Sequence, residues 1–498
     1  MQLIGYGYLI DRYKLDVLQP YCQSFLTTGK VIERESTSTG ENQFFPMKYG
    51  VEDTWQAHLL FALKYEGINL AILKAFFEVC DVEELVKWIQ TKKVSVPLRR
   101  IWFFYEFLMQ CELPLEAIKM GNYDFALPPE DYFTLGQKDS PRAQRQRLYN
   151  NLPGDNRFCP MVRLTKKIKT AMAIDYTKII SDTLANYPND LIYRANDFLY
   201  LKETRSSFAI ERQTPSQKRI ATFMELLKLA GKNGLTKTML IQFQNSVVDV
   251  RYAERDYRTD QVYVGQTLAP GRELVHFVGV KPEDVTAFMD GYLENLTRLI
   301  SADVNPIILA AVYAFGFVFI HPFDDGNGRI HRYLLHHILA AKGVTPEGTL
   351  FPVSAVLYND PQLYDLMLES FSKRLMPHLD YSFNEKGEMT VLMESAHFYR
   401  FVNYTTIVEL FFEVIQKTIT IELVAELDYL DAWEKASKQM KDVVDLPDKK
   451  INQFILFTQQ NNGTLPKARR AIFEELTDEE VSALSNIVVK TILRQNKK

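Results

Sequence analysis

Residues 321–332 read HPFDDGNGRIHR, and this stretch decides how the sequence around it folds. An apolar run over 307–320 precedes it, and the Asn-Pro pair before that run is typical of a helix start. The proline after the first histidine and the Asp-Asp-Gly-Asn-Gly run cannot continue that helix. Residues 329–342 then have the pattern of a new helix that ends at Gly343. The sequence therefore predicts a helix, a tight loop and a second helix.

The start of the second helix is a candidate anion site. A Gly-Asn-Gly turn that leads into a helix presents free backbone N–H groups where the helix dipole is positive. Arg329 and Arg332 are three residues apart, so both guanidinium groups project from one face of the first turn. Each can donate two parallel hydrogen bonds to phosphate oxygens. These features together predict a phosphate-binding site.

Two further side chains of this stretch could supply chemistry. Asp325 is adjacent to the predicted phosphate site, where a carboxylate is a ready ligand for Mg²⁺. His321, at the end of the first helix, can remove a proton from an attacking hydroxyl. A base, a metal carboxylate, an anion site and cationic side chains are what displacement at a phosphate group requires. A solvated loop between two core helices is the alternative interpretation.

With these residues in place, the stretch resembles the signature of the Fic (filamentation induced by cAMP) family, His-x-Phe-x-(Asp/Glu)-Gly-Asn-Gly-Arg-x-x-Arg, at every position. The resemblance extends from about Leu191 to Met376. It implies a protein adenylyltransferase, which transfers AMP from Mg-ATP to a hydroxyl side chain of a target protein. Outside the signature it rests on Tyr257-Arg258, Phe277, Val280, Pro282 and the run Phe351 to Val356.

The resemblance also implies a role for each residue of the signature. His321 would be the general base, Asp325 the Mg²⁺ ligand and Phe323 a packing residue that anchors the loop. The predicted contacts to the ATP phosphates are Gly326, Asn327, Gly328, Arg329 and Arg332. The predicted contacts to the nucleoside are Tyr358, Asn359 and Tyr364, for which turn and core roles are equal alternatives.

Residues 257–278 predict a β-hairpin. Val262 and Val264 are two apart, a turn at Gly271 follows, and residues 274–278 form a second extended run. In Fic proteins such a flap would hold the target segment through strand-like backbone hydrogen bonds. The residues predicted to contact the target are Arg258, Val262, Val264 and Gly265.

Ser207 and Glu211 are four residues apart in a helical stretch at about 200–213, and therefore share one face. An ordinary surface helix would explain the spacing. In a Fic protein, however, it resembles the inhibitory motif (Ser/Thr)-x-x-x-Glu-(Gly/Asn), whose glutamate pairs with the second arginine of the signature, here Arg332. The resemblance implies autoinhibition. Arg212 departs from the family pattern, so the restraint is predicted to be weaker or set differently.

The predicted fold class is mainly α, a helical Fic core with a small β-hairpin flap between helical flanking domains. Apolar residues recur three and four apart along much of the chain. The predicted domains are an N-terminal helical accessory domain at 1–170, the Fic domain with its inhibitory helix and flap at 171–376, and a C-terminal helical domain at 377–498.

Composition excludes several other classes of protein. The net charge of −4 argues against a protein that binds nucleic acid or membranes non-specifically. In a local excess of Lys and Arg over 138–169, no aromatic residues alternate with the charges in a stacking pattern, so a solvated surface is expected there. The apolar run at 307–320 is shorter than the roughly 18–20 residues of a membrane span, and no secretory signal is evident. A cytoplasmic protein is predicted.

Other activities remain open at this stage. The same fold could remove AMP from a modified target, or transfer UMP, phosphocholine or phosphate. A non-catalytic regulatory or binding module is the alternative from another class. The sequence names no target protein, and the chain itself is one candidate. A P-loop is excluded, because no Gly-x-x-x-x-Gly-Lys-(Ser/Thr) occurs.

Overall fold

The computed structural model describes residues 1–37, 40–269, 272–346 and 349–493. It is mainly helical with four small sheets among the described residues, as the predicted fold class requires. None of the helices in these ranges is both long enough and apolar enough to cross a membrane.

The N-terminal part is less helical than the sequence predicts. Strands β2 and β4 pair in parallel within a four-stranded sheet of order β1-β2-β4-β3. Burial alternates along β2, but the inward positions include Cys22 and Ser24, so the strand lacks a clear apolar pattern. The elements are β1 (Gln2–Ile4), α1 (Tyr6–Tyr13), β2 (Cys22–Thr27), β3 (Glu33–Ser36), β4 (Glu41–Pro46), α2 (Trp55–Phe61), α3 (Leu70–Val79), α4 (Val82–Thr91), α5 (Val96–Met109), β5 (Asp124–Phe125), β6 (Arg142–Ala143) and β7 (Leu148–Tyr149).

The central part contains the predicted helix, loop and helix. The Asn305 side chain caps α12 by accepting from the amides of Ile307 and Ile308, and nearly every residue of α12 is buried. A helix that is apolar all round is stable only inside a core, which places the following loop against other helices. The elements are α6 (Lys166–Met172), α7 (Tyr176–Leu184), α8 (Asn189–Ile210), α9 (Gln217–Lys228), α10 (Lys237–Val247), β8 (Tyr263–Ala269), β9 (Arg272–Val278), α11 (Pro282–Ser301), α12 (Pro306–Ile320), α13 (Asn327–Ala341), α14 (Val353–Asn359) and α15 (Pro361–Leu375).

The C-terminal part continues the central core before it forms a core of its own. Helix α17 (Thr405–Lys417) packs against α12, and its Phe411 belongs to the same hydrophobic cluster as the central helices. Residues from Ala432 to Ile492 form a separate cluster. The domain limits at 170 and 376 stay predictions. The elements are β10 (Tyr381–Phe383), β11 (Met389–Val391), α16 (Ala396–Arg400), α17 (Thr405–Lys417), α18 (Leu423–Val443), α19 (Asp448–Gln460) and α20 (Asp478–Val488).

Candidate active site

His321 ends α12 in the left-handed conformation, with φ 56° and ψ 60°. Its Nδ1 lies 3.0 Å from the carbonyl oxygen of Val318, so a proton on Nδ1 would leave Nε2 as the free acceptor. Burial lowers the pKa of the ring to about 4, with a smaller contribution from the charge of Arg258. The imidazole is therefore neutral near pH 7, as a general base must be.

The motif loop, residues 321–326, is held from within by Asn327. The Asn327 side chain accepts from the amide of Phe323 at 3.1 Å and donates to the carbonyl of the same residue at 2.6 Å. Phe323 is fully buried, as predicted for an anchor. Gly326 has φ 93°, a conformation that a residue with a side chain adopts only at a cost. The loop thus enters α13 through a left-handed glycine.

Arg258 supports the motif loop, and its contact with a target stays a prediction. Its side chain is 4% exposed. Its guanidinium donates to the carbonyls of His321 at 2.6 Å and Asp260 at 2.6 Å, and also to that of Val280. Its backbone amide donates to Pro322 at 3.0 Å. All three guanidinium nitrogens are engaged, so Arg258 fixes the loop beside the flap.

The predicted flap is the hairpin β8–β9, whose strands begin at Tyr263 and therefore later than residue 257. The predicted turn at Gly271 lies outside the described residues. Val264 is 46% exposed and lines the cavity in front of His321, whereas Gly265 is exposed beside a shift in the strand register. Val262 lies near Gly279, whose lack of a side chain allows the close approach of His321.

Arg332 is bound by the C-terminal end of α8 and by the residue that follows it. The guanidinium donates to Ser207 Oγ, to the Ser207 carbonyl and to Glu211 Oε1, each at 2.8 Å. Its side chain is 1% exposed, and its Nη1 is buried without a hydrogen-bond partner. The predicted pairing of Glu211 with Arg332 is therefore present in this structure, and one nitrogen of Arg332 is unused.

The Glu211 carboxylate lies over the first turn of α13. A Cβ built on Gly328 would overlap Glu211 Oε1, so only glycine permits this approach. Burial raises the pKa of Glu211, but the charge of Arg332 and its hydrogen bond, together with Arg329, outweigh burial and lower it overall. An ionised carboxylate thus lies next to the amides that were predicted to bind phosphate.

Arg329 also faces inward. Its Nη2 pairs with Asp325 Oδ1 at 2.6 Å, and its Nη1 donates to Gln213 Oε1 at 3.2 Å and to the carbonyl of Val247. The Nε atom is buried and unpartnered. Asp325 also accepts from the amide of Gly326 at 2.6 Å. The two arginines among the predicted phosphate ligands are therefore both buried, and each has an unsatisfied donor.

A cavity of about 720 Å³ lies in front of His321 and the start of α13. Its lining includes the predicted base and metal ligand, the turn of three residues at the start of α13, Arg329 and Glu211, but not Arg332. Across the described residues, no group of three or more His, Cys, Asp or Glu side chains is arranged to hold a metal ion. A cation here would take Asp325 as its protein ligand and its other ligands from phosphate and water.

The predicted nucleoside contacts divide into two groups. Tyr358 is 52% exposed and lines the cavity, and Tyr364 lines it while 9% exposed. Asn359 does not line the cavity, because its Nδ2 donates to Glu422 Oε1 at 2.9 Å. The side chain of Asn359, the last residue of α14, thus turns toward Glu422, and its contact with a nucleoside stays a prediction.

Sequence reasoning missed a second contact between α8 and α13. Glu203 Oε1 lies 2.7 Å from His336 Nε2, and Glu203 also accepts from the amide of Ser354 at 2.8 Å and from its hydroxyl. Glu203 is four residues before Ser207, and His336 is four residues after Arg332. The i, i+4 spacing on both helices was a signal that could have found this pair.

Residues 234–339 match the profile of the Fic/DOC family. The protein adenylyltransferase Fic of Drosophila willistoni is 34% identical over 91 residues, which are 18% of this chain and 16% of that protein. The protein adenylyltransferase Fic of Nematostella vectensis is 25% identical over 248 residues, which are 47% of this chain and 51% of that protein. The chain thus spans about half or less of the length of these relatives.

A solved Fic family protein from Desulfovibrio desulfuricans G20 is 18% identical, with a TM-score of 0.38, over 55% of this chain and 79% of that one. Together with the complete signature in the observed helix, loop and helix, the profile match shows that residues 234–339 of this chain are similar to the Fic/DOC family.

Proposed function

We propose that this chain is a protein adenylyltransferase that transfers AMP from Mg-ATP to a hydroxyl side chain of a target protein. The observation that carries the proposal is the meeting of a neutral imidazole, the start of α13 and the buried Arg329 at one cavity, beside the Glu211 carboxylate that holds Arg332. The relatives named protein adenylyltransferase Fic support the choice of reaction.

In the proposed reaction, Nε2 of His321 takes the proton of the target hydroxyl while the oxygen attacks the α-phosphorus. The bond from that phosphorus to the bridging oxygen of the β-phosphate breaks, and diphosphate leaves. The amides of Gly326 to Gly328 stabilise charge on the phosphate oxygens. Arg329 and Arg332 bind the β- and γ-phosphates, for which their buried, unpartnered nitrogens are suited.

Asp325 is the residue that would hold Mg²⁺. Its carboxylate lines the cavity with 40% of the side chain exposed, and it lies beside the amides that would bind phosphate. When bound, the cation would neutralise charge on the leaving diphosphate. Release of Asp325 from Arg329 would then free both side chains for their nucleotide contacts.

We further propose that Glu211 autoinhibits the transfer. Its carboxylate accepts a hydrogen bond from Arg332 and fills the space over Gly328. The γ-phosphate would need both that donor and that space. Like charges in one small buried site repel strongly, so ATP would bind in a displaced, unproductive pose. The intact pair of arginines favours a triphosphate substrate over the removal of AMP.

Incubation with Mg²⁺ and ATP labelled at the α-phosphate tests the proposal. Wild type, Glu211→Gly and Glu211→Gly with His321→Ala are compared on a mixture of candidate target proteins. The expected result is little label with wild type, strong label with Glu211→Gly and none when His321 is replaced. Equal labelling with and without His321 would contradict the proposed chemistry.

A further inference from the structure

The segment after α10 is held to that helix by reciprocal side-chain and backbone bonds. Gln244 Nε2 donates to the carbonyl of Tyr252 at 2.8 Å, and Gln244 Oε1 accepts from the amide of Glu254 at 3.1 Å. The side chain of Asn245 accepts from the amide of Glu254 at 2.8 Å and donates to the carbonyl of Glu254 at 3.0 Å. Glu254 therefore has a fixed backbone from which its side chain extends.

The side chains of this segment contact the motif loop from outside. Glu254 Oε1 accepts from the amide of Asp324 at 2.9 Å and from Gln244 Nε2 at 3.1 Å. Gln244 Nε2 also lies 3.3 Å from the carbonyl oxygen of Asp325. The two side chains thus bind the backbone on either side of the peptide bond that joins Asp324 to Asp325.

These contacts complete the support of the motif loop. Arg258 binds the carbonyls of His321 and Pro322, and Asn327 binds both backbone groups of Phe323. The part of the loop that carries the Asp325 carboxylate has its outer backbone contacts from Gln244 and Glu254. Its orientation therefore depends on those two residues.

Glu254 is costly to keep at this position. Burial raises the pKa of its carboxyl to about 7, and the charge of Asp324 adds to that effect. Across the described residues, Glu254 forms no ion pair within 4.0 Å. If the residue at this position only filled space, an uncharged side chain would make the folded protein more stable. A carboxylate is instead a stronger hydrogen-bond acceptor for the loop amide.

We propose that Glu254, with Gln244, is a positioning residue that orients the motif loop so that Asp325 presents its carboxylate to the Mg²⁺ of the bound nucleotide. This role rests on the proposed function. Outer contacts of this kind set the direction of a metal ligand, and their loss costs about 10- to 100-fold in metal affinity or activity.

The test uses the full chain in the Glu211→Gly background. Glu254→Ala removes the acceptor, whereas Glu254→Gln keeps an oxygen that can accept from the Asp324 amide. Asp256→Ala is the matched control, because Asp256 lies in the same segment but pairs with Lys237 at 2.5 Å, away from the loop. For each variant, kcat, the KM for the target and the Mg²⁺ concentration at half-maximal rate are measured. The rise in thermal unfolding midpoint that Mg-ATP produces reports binding without catalysis.

Glu254→Ala is expected to lower kcat and raise the half-maximal Mg²⁺ concentration by about tenfold or more, with the KM for the target unchanged. It should also weaken the stabilisation by Mg-ATP, while Glu254→Gln stays within about threefold of the parent and Asp256→Ala equals it. If the Glu211→Gly parent transfers no label, the proposed function fails. If the parent is active and Glu254→Ala matches it, or Glu254→Gln is as impaired as Glu254→Ala, the positioning role is refuted.

Discussion

The Glu211 carboxylate occupies the position directly over Gly328, the second residue of α13, while it accepts a hydrogen bond of 2.8 Å from Arg332. The start of α13 and a cationic side chain are thereby both covered by Glu211, the residue that directly follows α8. This relationship links the end of α8 to the proposed site for the γ-phosphate, and its surroundings lead to four predictions.

Gly328→Ala should destabilise the wild-type protein because the added methyl group overlaps Glu211 Oε1. In the Glu211→Gly background the same substitution should cost less, since the obstructing carboxylate is gone. We expect a coupling within the range of about 0.5–3 kcal/mol for residues in contact. Thermal unfolding midpoints of the two single variants and the double variant measure it. Additive shifts would show that the carboxylate does not occupy this position.

Arg212→Gly should strengthen the restraint. Arg212 has φ 54° just after α8, where the amide of Gln213 bonds to the Phe208 carbonyl at 3.1 Å. Glycine removes about 1 kcal/mol of backbone strain in this conformation. If the last turn of α8 must open for transfer, that gain corresponds to a basal transfer rate about fivefold lower. Gln110→Gly, at φ 54° after α5, is the control that should stabilise equally and leave transfer unchanged. A faster rate for Arg212→Gly would refute the prediction.

Glu203→Ala should weaken the attachment of α8 to α13. The substitution leaves His336 and Ser354 without their buried acceptor, a loss of about 1–3 kcal/mol for each unsatisfied group. We expect a lower thermal unfolding midpoint and a higher basal rate of transfer. Glu203→Gln, which keeps one acceptor oxygen, should lie between the two proteins. Unchanged stability in Glu203→Ala would mean that this contact does not hold the helix.

The pH profile of the transfer should lack the acid limb expected of an ordinary histidine. A general base must be neutral, and its activity is lost as the pH falls through its pKa. Burial lowers the pKa of His321 to about 4, while Glu211 and Asp325 oppose that shift. In Glu211→Gly, kcat/KM should therefore be flat from about pH 6 to pH 8. A decline centred near pH 6.5 would contradict the depressed pKa.

The helix, loop and helix of the active site follow from local sequence. An Asn-Pro start, an apolar run and a Gly-Asn-Gly turn each act within a few residues, so their structural effects can be predicted from spacing alone. The pairing of Glu211 with Arg332 required the family resemblance, since the two residues are 121 positions apart.

Other features depend on contacts that leave no local pattern. Arg258 was predicted to contact the target, and nothing in the sequence indicated that its guanidinium is buried among carbonyls from three separate segments. Gln244 and Glu254 have ordinary spacing, and only the folded chain brings them to the motif loop. Strand β2 was not predicted, because its buried positions include Cys22 and Ser24 and therefore lack an alternating apolar pattern.

The most direct test of the account compares two labels of ATP. Purified Glu211→Gly is incubated with Mg²⁺ and a target-containing extract, once with ATP labelled at the α-phosphate and once with ATP labelled at the γ-phosphate. The account predicts stable label on protein from the α-phosphate alone, and its loss when His321 is replaced by alanine. Label from the γ-phosphate, or no dependence on His321, would contradict the transfer of AMP by this site.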